Sequence, residues 1–309
     1  MKASKATGRI YYEELRLLLK DTFEAIYKLK KVCTDRSSHY IFINDHIGDV
    51  VIALGYLKAF RKKINAQSVT IVVTEKYIKL AENYSNEYEK LIVLSQYELY
   101  RILLLNATTF GEKYLQKEYP NVTLINPADS AKLGFEYLRL YPDMNLKKMI
   151  MHGCYELSPM AAFKPLPKIQ TVESTRRVLL TLEARTISLG ITSLYKNLVQ
   201  QLKALDYEVY LNTKEDDHIQ GATPIYKEIN ELRSFIGNGV LIGVRSGLHD
   251  LMLYQDCKVI AIYPNDNYYG NLFSLTMMPD TVAQYLELKQ SGDGDFDSHA
   301  IIDFIRGGE

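Results

Sequence analysis

A carboxylate follows a glycine in IFINDHIGDVVIALGYLKAFRKK, residues 41 to 63, where an apolar run turns through Asn44, Asp45, His46, Ile47 and Gly48 into an apolar helix. Gly48 lets backbone approach closely at a helix start, and Asp49 then stands where free N–H groups and the helix dipole keep a carboxylate ionised. A carboxylate held in this way can act as a general base, with His46 as a second proton acceptor in the same turn. The spacing equally suits a helix cap at Asp49 and a loop histidine bonded to a backbone carbonyl, and it leaves both pairs of alternatives open. A single glycine matches neither Gly-x-Gly-x-x-Gly nor Gly-Lys-Ser/Thr, so the familiar NAD and ATP sites are disfavoured.

Two further segments could meet an anion. In VLLTLEARTISLG, residues 178 to 190, Arg185 and Thr186 precede an expected helix start, where guanidinium, hydroxyl and backbone N–H groups could hold a diphosphate; the alternative is a solvated loop arginine. In GVLIGVRSGLHDLMLYQDCKVIAIYP, residues 239 to 264, an apolar strand delivers Arg245, Ser246 and Gly247 to a helix start, a combination suited to phosphate or carboxylate. Here the alternative is a buried Arg245–Asp250 ion pair that fixes the turn. The tail carries Asp293, Asp295 and Asp297, but a calcium loop starting at Asp293 would need Gly in place of Ser298 and Glu in place of Phe304. No metal and no cofactor are therefore expected.

The elements that position these residues follow from periodicity. Tyr40 to Asn44, Val69 to Val73, Leu91 to Leu94 and Val122 to Ile125 read as buried strands separated by helices, among them Val50 to Lys63 and Gln96 to Lys117. SPMAAFKPLPK, residues 158 to 168, holds three prolines and no periodicity, which places the domain link there. Beyond it the alternation restarts, with strands at Val178 to Leu182, Glu208 to Leu211, Val240 to Val244 and Lys258 to Tyr263. Helices are expected near Ser188 to Ala204, near Pro224 to Phe235 and from Ser246. The pattern predicts an α/β protein of two Rossmann-like domains facing a cleft: a helical segment 1–38, an N-terminal domain 39–160, a C-terminal domain 161–290 and a tail 291–309.

At 309 residues there is room for two cores, and equal totals of 37 basic and 37 acidic side chains give no global field for nucleic acid. Charge is polarised at the ends: residues 1 to 36 hold nine basic and five acidic side chains, residues 280 to 309 two and seven. Leu15, Leu18, Leu19, Phe23, Ile26 and Leu29 recur at helical spacing. That helix packs on its own domain or rests on anionic lipid through Lys20, Lys28, Lys30 and Lys31. Cys33, Cys154 and Cys257 are odd in number and widely spaced, which points to a reducing cytosol rather than a disulfide framework. No run approaches the length of a membrane span, so the expected location is the cytoplasm, with peripheral contact at the inner membrane face through the N-terminal helix.

Taken together, these segments resemble the GT-B glycosyltransferases of the heptosyltransferase-like family nine. Gly48, Asp49 and Val50, backed by Ala53, Leu54 and Leu57, match the family's Gly-Asp-Val turn and apolar helix. Ser246, Gly247, Leu248 and Leu251, followed by Val259 to Pro264, match its C-terminal Asp-Ser/Thr-Gly-x-x-His-Leu turn and strand. Arg245 stands where the family has Asp, Asp250 where it has His, and the loop at Glu183 to Thr186 lacks the family's Lys-x-Trp.

The resemblance implies inverting, metal-independent transfer from a nucleotide-sugar donor, bound by the C-terminal half, to a glycan or lipid-linked acceptor on the N-terminal half. Asp49 would be the base, with His46 as its substitute, and Arg185, Thr186, Arg245, Ser246 and Gly247 would hold the donor diphosphate. The alternatives are a GT-B-fold nucleotide-sugar epimerase and a non-catalytic protein of this fold that binds a glycan or a partner enzyme.

Overall fold

The computed structural model describes residues 20–127, 144–169, 176–184, 187–188, 192–213, 218–265, 272–290 and 296–307. The chain divides into two compact units: residues 1–45, 57–141 and 149–161 form the first, residues 46–56, 142–148 and 162–309 the second.

The first unit is built on four parallel strands, β1 (Ser38–Ile43), β2 (Ser68–Thr74), β3 (Lys90–Leu94) and β4 (Val122–Ile125), in the order β3-β2-β1-β4. The central strands β1 and β2 are buried on both faces, which explains their near-continuous apolar sequences. Helix α1 (residues 20–32) and helix α5 (Gln96–Leu103) bring Ala25, Ile26, Leu29, Leu99, Ile102 and Leu103 onto Tyr40, Phe42 and Val72 of the sheet. Phe23, grouped with the apolar face by its spacing, is instead exposed, and Cys33 takes part in the core. Both long helices expected here are broken. The first becomes α2 (Ile47–Gly55) and α3 (Leu57–Ile64), and α4 (Ile78–Glu82) follows β2. The second becomes α5 and α6 (Thr109–Glu118), separated where the Thr108 hydroxyl accepts from Gly111 N at 3.1 Å and caps α6.

Helix α2 belongs to the second unit although it follows β1 in the chain. Its last residue, Gly55, has no room for a side chain, because a Cβ would lie 2.1 Å from the Phe163 ring. Phe163 stacks on Tyr254, and Lys164 N donates to Gly55 O at 2.8 Å, so the proline-rich link is anchored beside α2.

The second unit holds a six-stranded parallel sheet. Its strands are β5 (Arg177–Thr181), β8 (Glu208–Asn212), β9 (Thr223–Ile225), β10 (Val240–Val244), β11 (Lys258–Tyr263) and β12 (Gln284–Lys289). A small antiparallel ribbon, β6 (Glu183–Ala184) with β7 (Ile187–Ser188), follows β5. The order β12-β11-β10-β5-β8-β9 is the doubly wound order 3-2-1-4-5-6 when its strands are counted from β5.

Helices α7 (Leu146–Lys148), α8 (Thr192–Ala204), α9 (Ile229–Ile236), α10 (Gly247–Met252) and α11 (Ser298–Arg306) are the remaining described α-helices. Three of these differ from the sequence expectation. The helix placed near Ser188 starts at Thr192, because Ile187–Ser188 pairs in the ribbon. Pro224 lies in edge strand β9, where a missing N–H leaves no inner neighbour unpaired, and the helix begins only at Ile229. The final residues are more than a polar tail, since Ile301 and Ile305 of α11 enter the core with Leu198 and Leu202 of α8.

Candidate functional site

In an open parallel sheet, ligands bind beyond the carboxyl ends of the strands where the strand order reverses. In the second unit that point lies between β5 and β10, and the turn after β10 is Arg245, Ser246 and Gly247. Helix α10 leaves this turn and packs on α2, bringing together two segments separated by some 200 positions in the chain. The approach depends on glycine on both sides. A Cβ on Gly247 would lie 2.6 Å from Gly48 N, and one on Gly48 would lie 2.8 Å from Asp250 Oδ2. Ordinary carbon contacts need well over 3 Å, so a side chain at Gly247 would meet backbone and force the helices apart, whereas one at Gly48 would press on the Asp250 carboxylate that pairs with Arg245.

Asp49 is the third residue of α2 and only 4% exposed, behind an extended N-cap at His46. The cap is therefore His46, and Asp49 sits inside the first turn, where the helix dipole favours a negative charge. His46 Nδ1 stands 3.6 Å from Asp49 Oδ2, with the imidazole partly exposed. A carboxylate faced by an imidazole at the start of a helix is an arrangement that can accept and pass on a proton.

The guanidinium that the sequence reading offers to a phosphate is occupied by protein groups. Arg245 is 3% exposed; Nη2 donates to Asp250 Oδ1 at 2.5 Å, Nε to Phe273 O at 2.7 Å, and Nη1 to Ser246 O. The ion pair weighed as the alternative is present, and it fixes the turn rather than facing outward. Burial pushes the Asp250 carboxyl above its ordinary value against the pull of Arg245, and the nearby Asp49 charge adds to the rise.

His249 is fully buried and completes the turn from beneath: its Nε2 lies 3.2 Å from Ile260 O, and Ser246 N donates to its Nδ1 at 3.2 Å. These contacts select the neutral tautomer with the proton on Nε2, and burial, with the Arg245 charge, lowers its pKa to about 3. A second support is Glu287 on β12, which accepts from Leu275 N at 2.7 Å, from Ser274 Oγ at 3.1 Å and from the Tyr263 hydroxyl.

The first unit has its own switch point, between β1 and β4, and a cluster of buried polar side chains lies there. Thr74 Oγ1 donates to Asp45 Oδ1 at 2.5 Å, Lys76 Nζ to Asp45 Oδ2 at 2.7 Å, and Asn44 Nδ2 to Asn126 Oδ1 at 3.1 Å. Asn44, Asp45, Thr74 and Asn126 are all buried, and Asn126 Nδ2 has no hydrogen-bond partner among the described residues. A buried donor left unpaired costs about 1–3 kcal/mol.

Of the residues singled out from sequence, His46, Gly48, Asp49, Arg245, Ser246, Gly247 and Asp250 all fall at the α2–α10 junction. Arg185 and Thr186 lie outside the described residues. Asp293 and Asp295 lie outside the described residues as well, whereas Asp297 caps α11 by accepting from Ala300 N at 3.0 Å. Sequence reasoning missed His249, Glu287 and the Asp45–Thr74–Lys76 cluster. Asp45 was visible in the turn after β1, but its partners are long-range and carry no local signal.

No family model matches the chain, and no curated protein matches it. Solved structures do resemble it. A family 9 glycosyl transferase from Veillonella parvula superposes with a TM-score of 0.55 at 14% identity, covering 87% of this chain and 90% of that one. The ADP-heptose lipopolysaccharide heptosyltransferase II of E. coli gives 0.57 at 11%, covering 87% and 97%. The dodecameric iron-containing glycosyltransferase TibC of enterotoxigenic E. coli gives 0.52 at 12%, covering 73% of this chain, which spans 57% of the length of TibC. The likeness is one of fold: two parallel α/β units of the GT-B kind.

Proposed function

We propose that this chain is a glycosyltransferase that moves a sugar from a nucleotide-sugar donor to a glycan or lipid-linked acceptor, with inversion and without a divalent metal. One observation carries the reading: in a chain of GT-B fold, Gly48-Asp49 and Ser246-Gly247 meet at a junction where Gly247 lies directly against the backbone of Gly48. Helix α2 thereby sets a first-turn carboxylate beside the turn at the switch point of the larger sheet.

In this proposal Asp49 takes the proton from the acceptor hydroxyl as that oxygen attacks the anomeric carbon. The bond from carbon to diphosphate oxygen breaks on the opposite face, and the nucleoside diphosphate leaves with the electron pair. His46 orients Asp49 and can replace it as base. Ser246 and Gly247 hold the donor diphosphate through hydroxyl and backbone N–H, with Arg185 and Thr186 supplying further contacts. Arg245 is a positioning residue that sets this turn through Asp250. The acceptor is assigned to the first unit, where the buried Asn126 amide, unpaired among the described residues, supports binding of a hydroxyl-rich molecule.

The test is a thermal-shift screen against UDP, GDP, ADP and CMP sugars, since a ligand at about 100 times its Kd stabilises by roughly 2.7 kcal/mol. One donor class should raise Tm and its nucleoside diphosphate should compete. Absence of any shift would overturn the reading, and conversion of the sugar without an acceptor would replace it with epimerisation.

A further inference from the structure

Helices α1 and α5 bury one face each in the first unit's core and leave a set of rings on the other. Phe23 and Tyr27 of α1 are 66% and 60% exposed, and Tyr97 and Tyr100 of α5 are 56% and 49% exposed. The two helices lie side by side: Lys28 Nζ is 3.5 Å from Glu98 Oε1 and 5.5 Å from the Tyr97 ring, and Arg101 pairs with Asp21. Four rings exposed to this degree present on the order of 400 Å² of aromatic surface, the size of patch that marks an interaction site.

The charges among the rings are basic in surplus. Asp21 is matched by Arg101, Glu24 by Lys20 and Glu98 by Lys28, while Lys30 and Lys31 stand exposed. Lys31 Nζ lies 4.5 Å above the Tyr27 ring and the Arg101 guanidinium 5.0 Å from that of Tyr97. Surplus cations set around amphipathic rings call for a partner that offers anionic groups beside a layer able to take up aromatic side chains. A bilayer surface has both halves of the complement: phosphates for the ammonium groups and an interfacial layer that takes up Tyr and Phe side chains.

We infer that the outer face of α1 and α5 docks on a membrane surface bearing anionic lipid headgroups. The contact is peripheral; among the described residues no helix is long and apolar enough to cross a membrane. It is independent of the glycosyl-transfer reading, because none of these side chains belongs to the α2–α10 junction.

The chain contains no tryptophan, so Phe23→Trp installs a single reporter on the patch. Full-length Phe23→Trp protein is titrated with phosphatidylcholine vesicles with and without phosphatidylglycerol. The emission is expected to move to shorter wavelength only with the anionic vesicles and to return on addition of salt. Adding Lys30→Glu and Lys31→Glu should weaken this binding by about tenfold or more. In co-sedimentation without the reporter, Phe23→Ser with Tyr97→Ser should lose binding at unchanged circular dichroism, while Phe110→Ser, on α6, should retain it. No response to anionic vesicles, equal response to neutral ones, or binding unaffected by the ring substitutions would overturn the inference. A shift that grows with protein concentration without lipid would replace the membrane with a second copy of the chain.

Discussion

Removing the Asp250 carboxylate should unfold the second unit more readily than any surface substitution, for a reason that can be worked from the ion pair. The Arg245 and Asp250 side chains are 3% and 2% exposed, and their 2.5 Å contact is the only salt bridge of the guanidinium among the described residues. In Asp250→Ala the two carbonyl acceptors, Phe273 O and Ser246 O, remain, but the buried charge loses its counterion. Breaking such a pair from one side costs about 3–5 kcal/mol, a large share of the roughly 5–15 kcal/mol by which a domain is stable. Replacing both partners by apolar residues, Arg245→Met with Asp250→Leu, should cost less than Asp250→Ala alone, because no charge is left stranded. Urea unfolding followed by circular dichroism measures each variant and gives the coupling in a double-mutant cycle. The same proteins separate positioning from anion binding: Arg245→Lys should lose stability while nucleoside-diphosphate affinity stays within about twofold. Stability unchanged in Asp250→Ala, with affinity lost in Arg245→Lys, would refute the assignment and return Arg245 to the donor phosphate.

Two further outcomes follow from the site. The fold excludes a proton from His249, whose pKa falls from 6.5 to about 3, whereas the unfolded chain binds that proton near its ordinary value. The stability involved is fully present above the unfolded pKa and is lost as pH falls below it, by about 2 kcal/mol between roughly pH 7 and 5. His39, lowered to about 4 by burial, adds a loss of the same sign. Thermal unfolding across that range should show the decline, and His249→Gln should flatten it at a lower overall Tm; an unchanged slope would remove His249 from the account. Transfer activity, once a donor is identified, should survive EDTA. Loss of activity in chelator and its return with Mn²⁺ or Mg²⁺ would show that the leaving diphosphate relies on a metal.

Much of this architecture is legible without coordinates, since buried parallel strands are written as unbroken apolar runs and helices as amphipathic ones. Val122–Ile125, Val240–Val244 and Lys258–Tyr263 match their observed bounds for that reason. The errors cluster where tertiary contact overrides local pattern. Phe163 packs where a side chain on Gly55 would stand, Pro224 is tolerated because β9 is an edge, and β12 carries no clear apolar signal because its residues are only half buried. The site divides in the same way. Gly48, Asp49, Ser246 and Gly247 stood out as turns between a strand and a helix, but their meeting is a packing event that neither segment announces. The choice between anion binding and an ion pair at Arg245 likewise depended on burial, which one sequence does not carry. The Asn44, Asp45, Thr74, Lys76 and Asn126 cluster is assembled from three different strand ends and is visible only once the order β2-β1-β4 is known.

Asp49→Asn decides whether Asp49 accepts the proton of the acceptor hydroxyl. The substitution keeps the size of the side chain and a polar group in the first turn of α2, so Tm and donor affinity should change little. With the carboxylate gone, kcat should fall by about 10² to 10⁴, the usual contribution of a general base. A fall of less than about tenfold, or one matched by a loss of stability, would contradict the claim and leave Asp49 as a structural residue of the α2–α10 junction.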